Sequence, residues 1–474
     1  MPRAKTFVIV GGGLAAGKAA EELREHGHDG PLLVIGDERE RPYIRPPLSK
    51  GYLLGKEDRE SIHVHPESWY REHDVDLLLG TSVTSVDARG RAVTLDDGRR
   101  VPYAGLLLAT GSSPRRLSVP GADLEGVLYL RRVGDSERLK EAFTEGARIV
   151  VVGGGWIGLE TAAAARAAGA EVTVLERGEL PLLKVLGREA AEVFAGLHRD
   201  HGVDLRPHAR IEAVTGTGGR VDGVRLADGT HLPADAVVVG VGITPNVRLA
   251  EEAGLDVRNG IVTDARLRTS AAGVHAAGDV ANAYHPRLGR HLRVEHWANA
   301  LHQPRTAALS MLGQDAVYDR LPYFYTDQYD LGMEYTGYAE PGGYDRVVFR
   351  GSREERRFLA FWMSGDRVLA GMSVNLWDVI GTIRALIESG AETDDAALAD
   401  PSVPLESLLP RTRGRRETRR DRQRSRAAAL DAGRLAAGPG RGGPPRRPRV
   451  RVLGGRGLLG RRRQGRRVPA RHPR

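Results

Sequence analysis

Residues 5–38 read KTFVIVGGGLAAGKAAEELREHGHDGPLLVIGDE. An apolar run, Phe7–Val10, breaks at three glycines and passes into a stretch of helical periodicity, followed by a second apolar run, Leu32–Ile35, that ends in Asp37-Glu38. This order predicts strand, tight turn, helix and strand, with Gly11-x-Gly13-x-x-Ala16 at the mouth of the helix. Small residues there let a pyrophosphate approach backbone N–H groups at a helix N-terminus, and the closing acid, Glu38, can accept from ribose hydroxyls. A glycine triplet alone is weak evidence, but in this context it predicts a dinucleotide-binding unit.

The pattern recurs 142 residues later in residues 147–179, ARIVVVGGGWIGLETAAAARAAGAEVTVLERGE. Gly153-x-Gly155-x-x-Gly158 precedes a helix of small and apolar residues, and Glu176 closes the strand after it. Two units imply two dinucleotides. Glu176 favours a free 2′-hydroxyl, hence NADH, and the adjacent Arg177 leaves NADPH open.

A chain of 474 residues has room for two or three domains. No apolar run approaches the roughly 18 residues of a membrane span, so no membrane segment and a cytoplasmic location are expected. The basic N-terminus flows directly into the first strand rather than ending in a signal cleavage site. There is no cysteine, which excludes a redox dithiol, a thiol nucleophile and cysteine-ligated clusters. The 15 histidines show no metal-ligand spacing, so no metal site is expected.

The net charge of +9 is unevenly spread. Residues 411–474 hold 23 Arg and 3 acids, a net of +20, which leaves residues 1–410 at −11. That segment is rich in Gly, Pro and Arg and has no period. It reads as a disordered Arg-rich tail, with frameshifted GC-rich DNA as the favoured origin, and nucleic acid is an unlikely partner.

Shorter signals punctuate the rest. RPPLSK (45–50) predicts a rigid prolyl entry into a helix, with Lys50 one turn in. Asp97-Gly98 and Asp228-Gly229 predict hairpins. LLLATG (106–111), VVVGVGITPN (237–246) and VHAAGDVA (274–281) read as buried strands ending in turns.

Taken together, GGGLAAG, RPPLSK, LLLATG, GGGWIGLE, GVGITPN, AAGDVA and PYFYTDQYDLG resemble the FAD-dependent pyridine nucleotide reductases of glutathione reductase fold. The nearest branch is the oxygenase-coupled ferredoxin reductases, which includes putidaredoxin reductase, the biphenyl dioxygenase ferredoxin reductase and the apoptosis-inducing factor flavoproteins. The resemblance covers residues 5–410. It implies an α/β fold with two Rossmann-like domains and a C-terminal α/β interface domain, and it stops at the Arg-rich tail. The expected layout is an FAD domain split between residues 5–108 and 238–312, an NAD domain inserted at 109–237 and an interface domain at 319–410.

By resemblance, Gly11, Gly13, Ala16 and Glu38 hold the FAD diphosphate and ribose. Arg45 and Lys50 lie along the flavin, Val83 meets the adenine, and Ala109, Thr110 and Gly111 close over the cofactor. Gly278 and Asp279 reach the ribitol, and His296-Trp297 and Phe324-Tyr325 face the isoalloxazine. Gly153, Gly155, Ile157, Gly158, Glu176, Gly242 and Ile243 hold NADH. Lys50 and Glu160 are implied as an ion pair beside flavin N5, and they are the catalytic candidates.

Glutathione, lipoamide and thioredoxin reductases need a redox dithiol, and the NADH peroxidases and oxidases of this fold need a redox cysteine. Without cysteine, electrons must leave the flavin directly, and a separate [2Fe-2S] ferredoxin feeding an oxygenase or cytochrome P450 fits that chemistry. The rival readings are a diaphorase-like NADH:quinone or oxygen flavoprotein and a slow redox-responsive binding protein. Docking of an acidic ferredoxin requires a local basic patch, for which charge alone nominates Arg131, Arg132, Arg305, Arg346 and Arg350. The oligomeric expectation is a monomer or homodimer.

Overall fold

The computed structural model describes residues 6–410. The sequence reading of residues 411–474 as a disordered tail lies outside them.

The opening strand Phe7–Val10 sits at the centre of a five-stranded parallel sheet. Leu32–Gly36 and then Val75–Leu79 lie on one side of it, and Gly105–Leu108 and then Val274–Ala276 on the other. Its strands are apolar at nearly every position because both faces are covered. Val8 and Val10 enter one core with Leu106 and Leu108, while Ile9 joins Ala16, Leu23 and Val34 in another beneath the helix Leu14–Glu25.

The second glycine unit builds its own five-stranded parallel sheet, in the order Asp204–Arg206, Glu171–Leu175, Arg148–Val152, Ala236–Val239 and Val127–Leu128. The strand Ala236–Val239 pairs wholly within this sheet, so residue 237 falls inside a strand. The chain crosses between the two sheets on an antiparallel pair, Ser112–Pro114 with Ile243–Pro245. Both predicted hairpins form, with Gly98 at φ +82° and Gly229 at φ +86°.

The last unit is an antiparallel sheet in the order Tyr323–Gln328, Leu331–Gly337, Arg367–Val374, Arg357–Ser364 and Arg346–Ser352. Alternation along Arg357–Ser364 explains its placement. Phe358, Ala360 and Trp362 pack toward the core of the second glycine unit, and Leu359, Phe361 and Met363 pack toward Ile383 and Leu386 of the helix Ile380–Ser389.

One local expectation is corrected. The prolines at 46 and 47 open a single 3-10 turn, Pro46–Ser49, rather than an α-helix, and Lys50 caps its end at φ −131°. Two residues without N–H groups, followed closely by Gly51, leave too few backbone bonds to propagate a helix.

Candidate functional site

The two glycine turns face one continuous cavity of about 1000 Å³. At the first turn, Gly11 has φ +134°, and a Cβ there would lie 2.2 Å from Ala109 O. Gly13 caps the helix Leu14–Glu25 without any side-chain hydrogen bond, so the first N–H groups of the helix are left toward the cavity that Gly13, Leu14 and Ala15 line. Ala16 is fully buried beneath this turn and does not line the cavity.

Glu38 sits at the cavity edge with both oxygens engaged, accepting from Tyr43 Oη (2.6 Å) and Arg45 Nη2 (3.0 Å). Burial, ahead of the neighbouring charges, raises the Tyr43 phenol well above its ordinary pKa, so it remains a donor. Arg45 also donates to Tyr43 Oη (2.9 Å) and to the Arg131 carbonyl, which fixes its guanidinium.

Arg131 corrects the sequence reading. It lines the cavity and donates to Asp279 Oδ2 at 3.0 Å, and burial, followed by repulsion from Arg45, lowers its pKa. Two guanidinium groups beside an uncapped helix start make an anion-binding wall. The other four nominated arginines are also engaged: Arg132 with Asp37, Arg305 with Glu22 (3.2 Å), Arg346 with Asp395 (2.7 Å) and Arg350 with the Val403 carbonyl (2.7 Å). Charge in the sequence did not distinguish a free cation from one held by its neighbours.

Val83, Ala109, Thr110, Gly111, Gly278 and Asp279 all line the same cavity. Thr110 Oγ1 donates to the Asn246 carbonyl and Asn246 Nδ2 returns a bond to the Thr110 carbonyl, both at 2.8 Å, which stitches the ATG turn to the ITPN segment. Asn246 was legible only as a motif letter. Gly278, at φ +83°, donates to Gln303 Oε1 at 2.8 Å and lies close to Ala15.

At the opposite wall, His296 precedes the helix Trp297–Met311, and its ring lies 4.5 Å from that of Phe324. Burial pulls the His296 imidazole down to about 4, so the ring is neutral. His296 Nδ1 and Trp297 Nε1 are buried without a hydrogen-bond partner in the protein and border the cavity. Such atoms are costly unless a bound molecule answers them. Tyr325 meets Trp297 edge-on at 6.0 Å, and Lys50 Nζ lies 5.6 Å from the Tyr325 ring centre.

The second turn brings Gly155, Ile157, Glu160, Gly242 and Ile243 to this cavity, while Gly153, Gly158 and Glu176 lie outside its lining. Gly153 (φ +102°) and Gly158 serve close packing, since a Cβ on Gly158 would lie 2.0 Å from Gly153 O. Glu176 accepts from the amides of Gly154 (2.9 Å) and Gly178 (2.6 Å), which orients its carboxylate at the end of the strand. Between the two turns, Lys50 Nζ meets Glu160 Oε2 at 2.7 Å with both side chains largely shielded, and Ser49 Oγ donates to the same oxygen. The sequence distance between them, spanning the first unit and the second, is closed by the fold.

Among the described residues, one trio could approach a metal ion, Glu22, Glu25 and His26. It lies on and beside the first helix, away from the cavity, and Glu22 is already paired with Arg305.

Residues 5–303 match the pyridine nucleotide-disulphide oxidoreductase family and residues 323–409 match the reductase C-terminal domain. The chain therefore belongs to the pyridine nucleotide-disulphide oxidoreductases, as an FAD-dependent member that uses a nicotinamide dinucleotide and, lacking cysteine, has no redox disulphide. It is 42% identical to the anthranilate 1,2-dioxygenase system ferredoxin–NAD(+) reductase component of Burkholderia cepacia, over 86% of this chain and all of that one. It is 38% identical to putidaredoxin reductase CamA of Pseudomonas putida, over 85% of this chain and 96% of that one. The solved covalent putidaredoxin reductase–putidaredoxin complex superimposes with a TM-score of 0.82 at 37% identity, covering 85% of this chain and 97% of the matched one.

The residues present fit the two cofactors. The glycine cradle at Gly11, the uncapped helix, Arg45 and Arg131 suit a diphosphate, and the unanswered Trp297 Nε1 and His296 Nδ1 suit the heteroatoms of a flat ring system.

Proposed function

We propose that this protein is an NADH:ferredoxin oxidoreductase that serves an oxygenase or cytochrome P450 through a separate [2Fe-2S] ferredoxin in the cytoplasm. The observation that carries the reading is the meeting of two nucleotide-binding turns in one cavity, with Lys50 and Glu160 paired between them and no cysteine anywhere in the chain. Relatives named as ferredoxin reductases match over 96% or more of their own length, and a solved relative, putidaredoxin reductase, is held in a covalent complex with putidaredoxin.

In this reading the first sheet's turn, with Glu38, Arg45, Arg131 and Asp279, holds FAD, and the second turn, with Gly155, Ile157, Glu176, Gly242 and Ile243, holds NADH. Flavin, when bound, supplies the exchange of a two-electron hydride for single electrons. The protein's own role is positional and electrostatic. Phe324, Tyr325, His296 and Trp297 exclude water from the wall where flat rings stack, and the Lys50 ammonium places a positive charge beside the reacting region, restrained by Glu160. The oriented Glu176 carboxylate selects a ribose with a free 2′-hydroxyl, favouring NADH over NADPH.

The test is cytochrome c reduction by the FAD-loaded protein and NADH, with and without added [2Fe-2S] ferredoxins. Strong stimulation by a ferredoxin is expected. Rapid NADH oxidation with quinones that no ferredoxin accelerates would replace this reading with the diaphorase one.

A further inference from the structure

Glu160 accepts more than the lysine. Its Oε1 takes a 2.6 Å hydrogen bond from Thr326 Oγ1. Thr326 Oγ1 in turn receives Gln328 Nε2 at 3.1 Å, Gln328 Oε1 meets His198 Nε2 at 2.9 Å, and His198 Nδ1 meets Tyr329 Oη at 3.2 Å. Thr326, Gln328 and His198 are completely or almost completely buried, and none of them lines the cavity.

The direction of this chain follows from its end. A carboxylate only accepts, so the single hydroxyl proton of Thr326 points to Glu160. Thr326 must then accept from the Gln328 amide nitrogen, which turns the amide oxygen toward His198. An amide oxygen cannot donate, so His198 carries its proton on Nε2 and leaves Nδ1 to receive the Tyr329 hydroxyl. One carboxylate thus dictates an amide orientation, a tautomer and a hydroxyl rotor, with every donor aimed at Glu160. Burial pulls the His198 imidazole down to about 4, in keeping with a neutral ring.

The chain also joins separate elements. Glu160 lies on the helix Trp156–Ala167, His198 on the helix Arg188–Asp200, and Thr326 and Gln328 on the strand Tyr323–Gln328. Tyr329 occupies a left-handed backbone conformation (φ +55°), unusual for an aromatic residue, with its ring stacked on His201 at 3.7 Å.

We propose that Thr326, Gln328 and His198 are positioning residues: a polarised hydrogen-bond relay, fixed at its outer end by Tyr329, that holds the Glu160 carboxylate in the orientation that presents Lys50 to the cavity. The inference deepens the proposed oxidoreductase reading and rests on it for its kinetic consequence, but the relay itself is a property of the folded chain.

Two measurements on the FAD-loaded protein test it. The first is ¹⁵N NMR of the histidine side chains, with His198 assigned from the signals lost in His198→Phe. The expected result at pH 7 is an Nε2–H tautomer, scrambled in Thr326→Val and retained in Thr326→Ser. The second is stopped-flow reduction of the bound flavin by NADH. Loss of a hydrogen bond to a charged group predicts a limiting rate about tenfold lower in Thr326→Val, with the NADH dissociation constant little changed and the rate recovered in Thr326→Ser. If Thr326→Val does not fold, Tyr329→Phe is read in the same two ways, and should shift the His198 Nδ1 resonance and slow reduction. A His198 protonated on Nδ1, or a Thr326→Val or Tyr329→Phe variant that reduces as fast as the parent, would overturn the relay. Failure of the parent protein itself to react with NADH would instead overturn the oxidoreductase reading, and the tautomer pattern would still decide the relay.

Discussion

At the scale of single residues, the most consequential contact is the shielded pair of Lys50 and Glu160. Removing one partner of such a pair leaves the other without its counter-charge, so Lys50→Met should cost about 3 kcal/mol of stability. The double variant Lys50→Met/Glu160→Gln should regain much of that stability while flavin reduction by NADH stays slow. Denaturant melts together with stopped-flow absorbance separate the two effects, and recovery of the rate in the double variant would show that Lys50 has only a structural role. Glu176 makes a second residue-scale prediction. Glu176→Ala removes the acceptor of two backbone amides and the expected ribose partner, so KM for NADH should rise about tenfold while KM for NADPH changes little. Glu176 was legible from its motif, and the pairing of Lys50 with Glu160 was implied by the family resemblance of their motifs. Arg131 was legible only as a charge, because its partner Asp279 lies in a distant segment and nothing local in the sequence connects them.

At the scale of elements, the strand–turn–helix units depend on backbone approaches that only glycine permits. In Gly11→Ala the new methyl would meet the Ala109 carbonyl at 2.2 Å, at a φ of +134°, so the strands Phe7–Val10 and Gly105–Leu108 would have to separate. This variant should purify with little or no flavin, as read from the ratio of absorbance at the flavin and protein bands. Gly229→Ala is the control, since its hairpin glycine also has positive φ (+86°) but open space around it. It should keep its flavin and lose only about 1 kcal/mol of stability. Turn chemistry is local, which is why both glycine units and both hairpins could be read in advance. The prolyl segment was misjudged in length because a proline pair marks where a helix can begin and does not say how far it runs.

At the scale of the whole molecule, buried neutral histidines tie folding to pH. His198 and His275 both lie near a pKa of about 4 through burial, below the value of about 6.5 for an unfolded chain. Between these values the unfolded chain binds protons that the folded protein does not, so stability is fully present above about pH 6.5 and declines as pH falls toward 4. The slope approaches about 1.4 kcal/mol per pH unit for each residue. Urea melts at pH 7 and pH 5 should show the loss, and His198→Gln should reduce the pH dependence. Removal of residues 411–474, which lie beyond both matched family regions, should leave flavin content and NADH-driven reduction unchanged.

The two nucleotide-binding units, their turns, the absence of thiol chemistry and the acid closing each second strand were all written in the order of the residues. These are set by residue type at short spacing, where steric and hydrogen-bonding rules act along the chain. Folding in three dimensions was needed to establish that both turns open on one cavity, that Arg131 faces it, that the five nominated arginines are engaged, and that Glu160 ends a buried relay. Those facts depend on which distant segments pack together. Burial then converts a proton's position on His198, Gln328 or Thr326 from a free choice in water into a requirement of the fold.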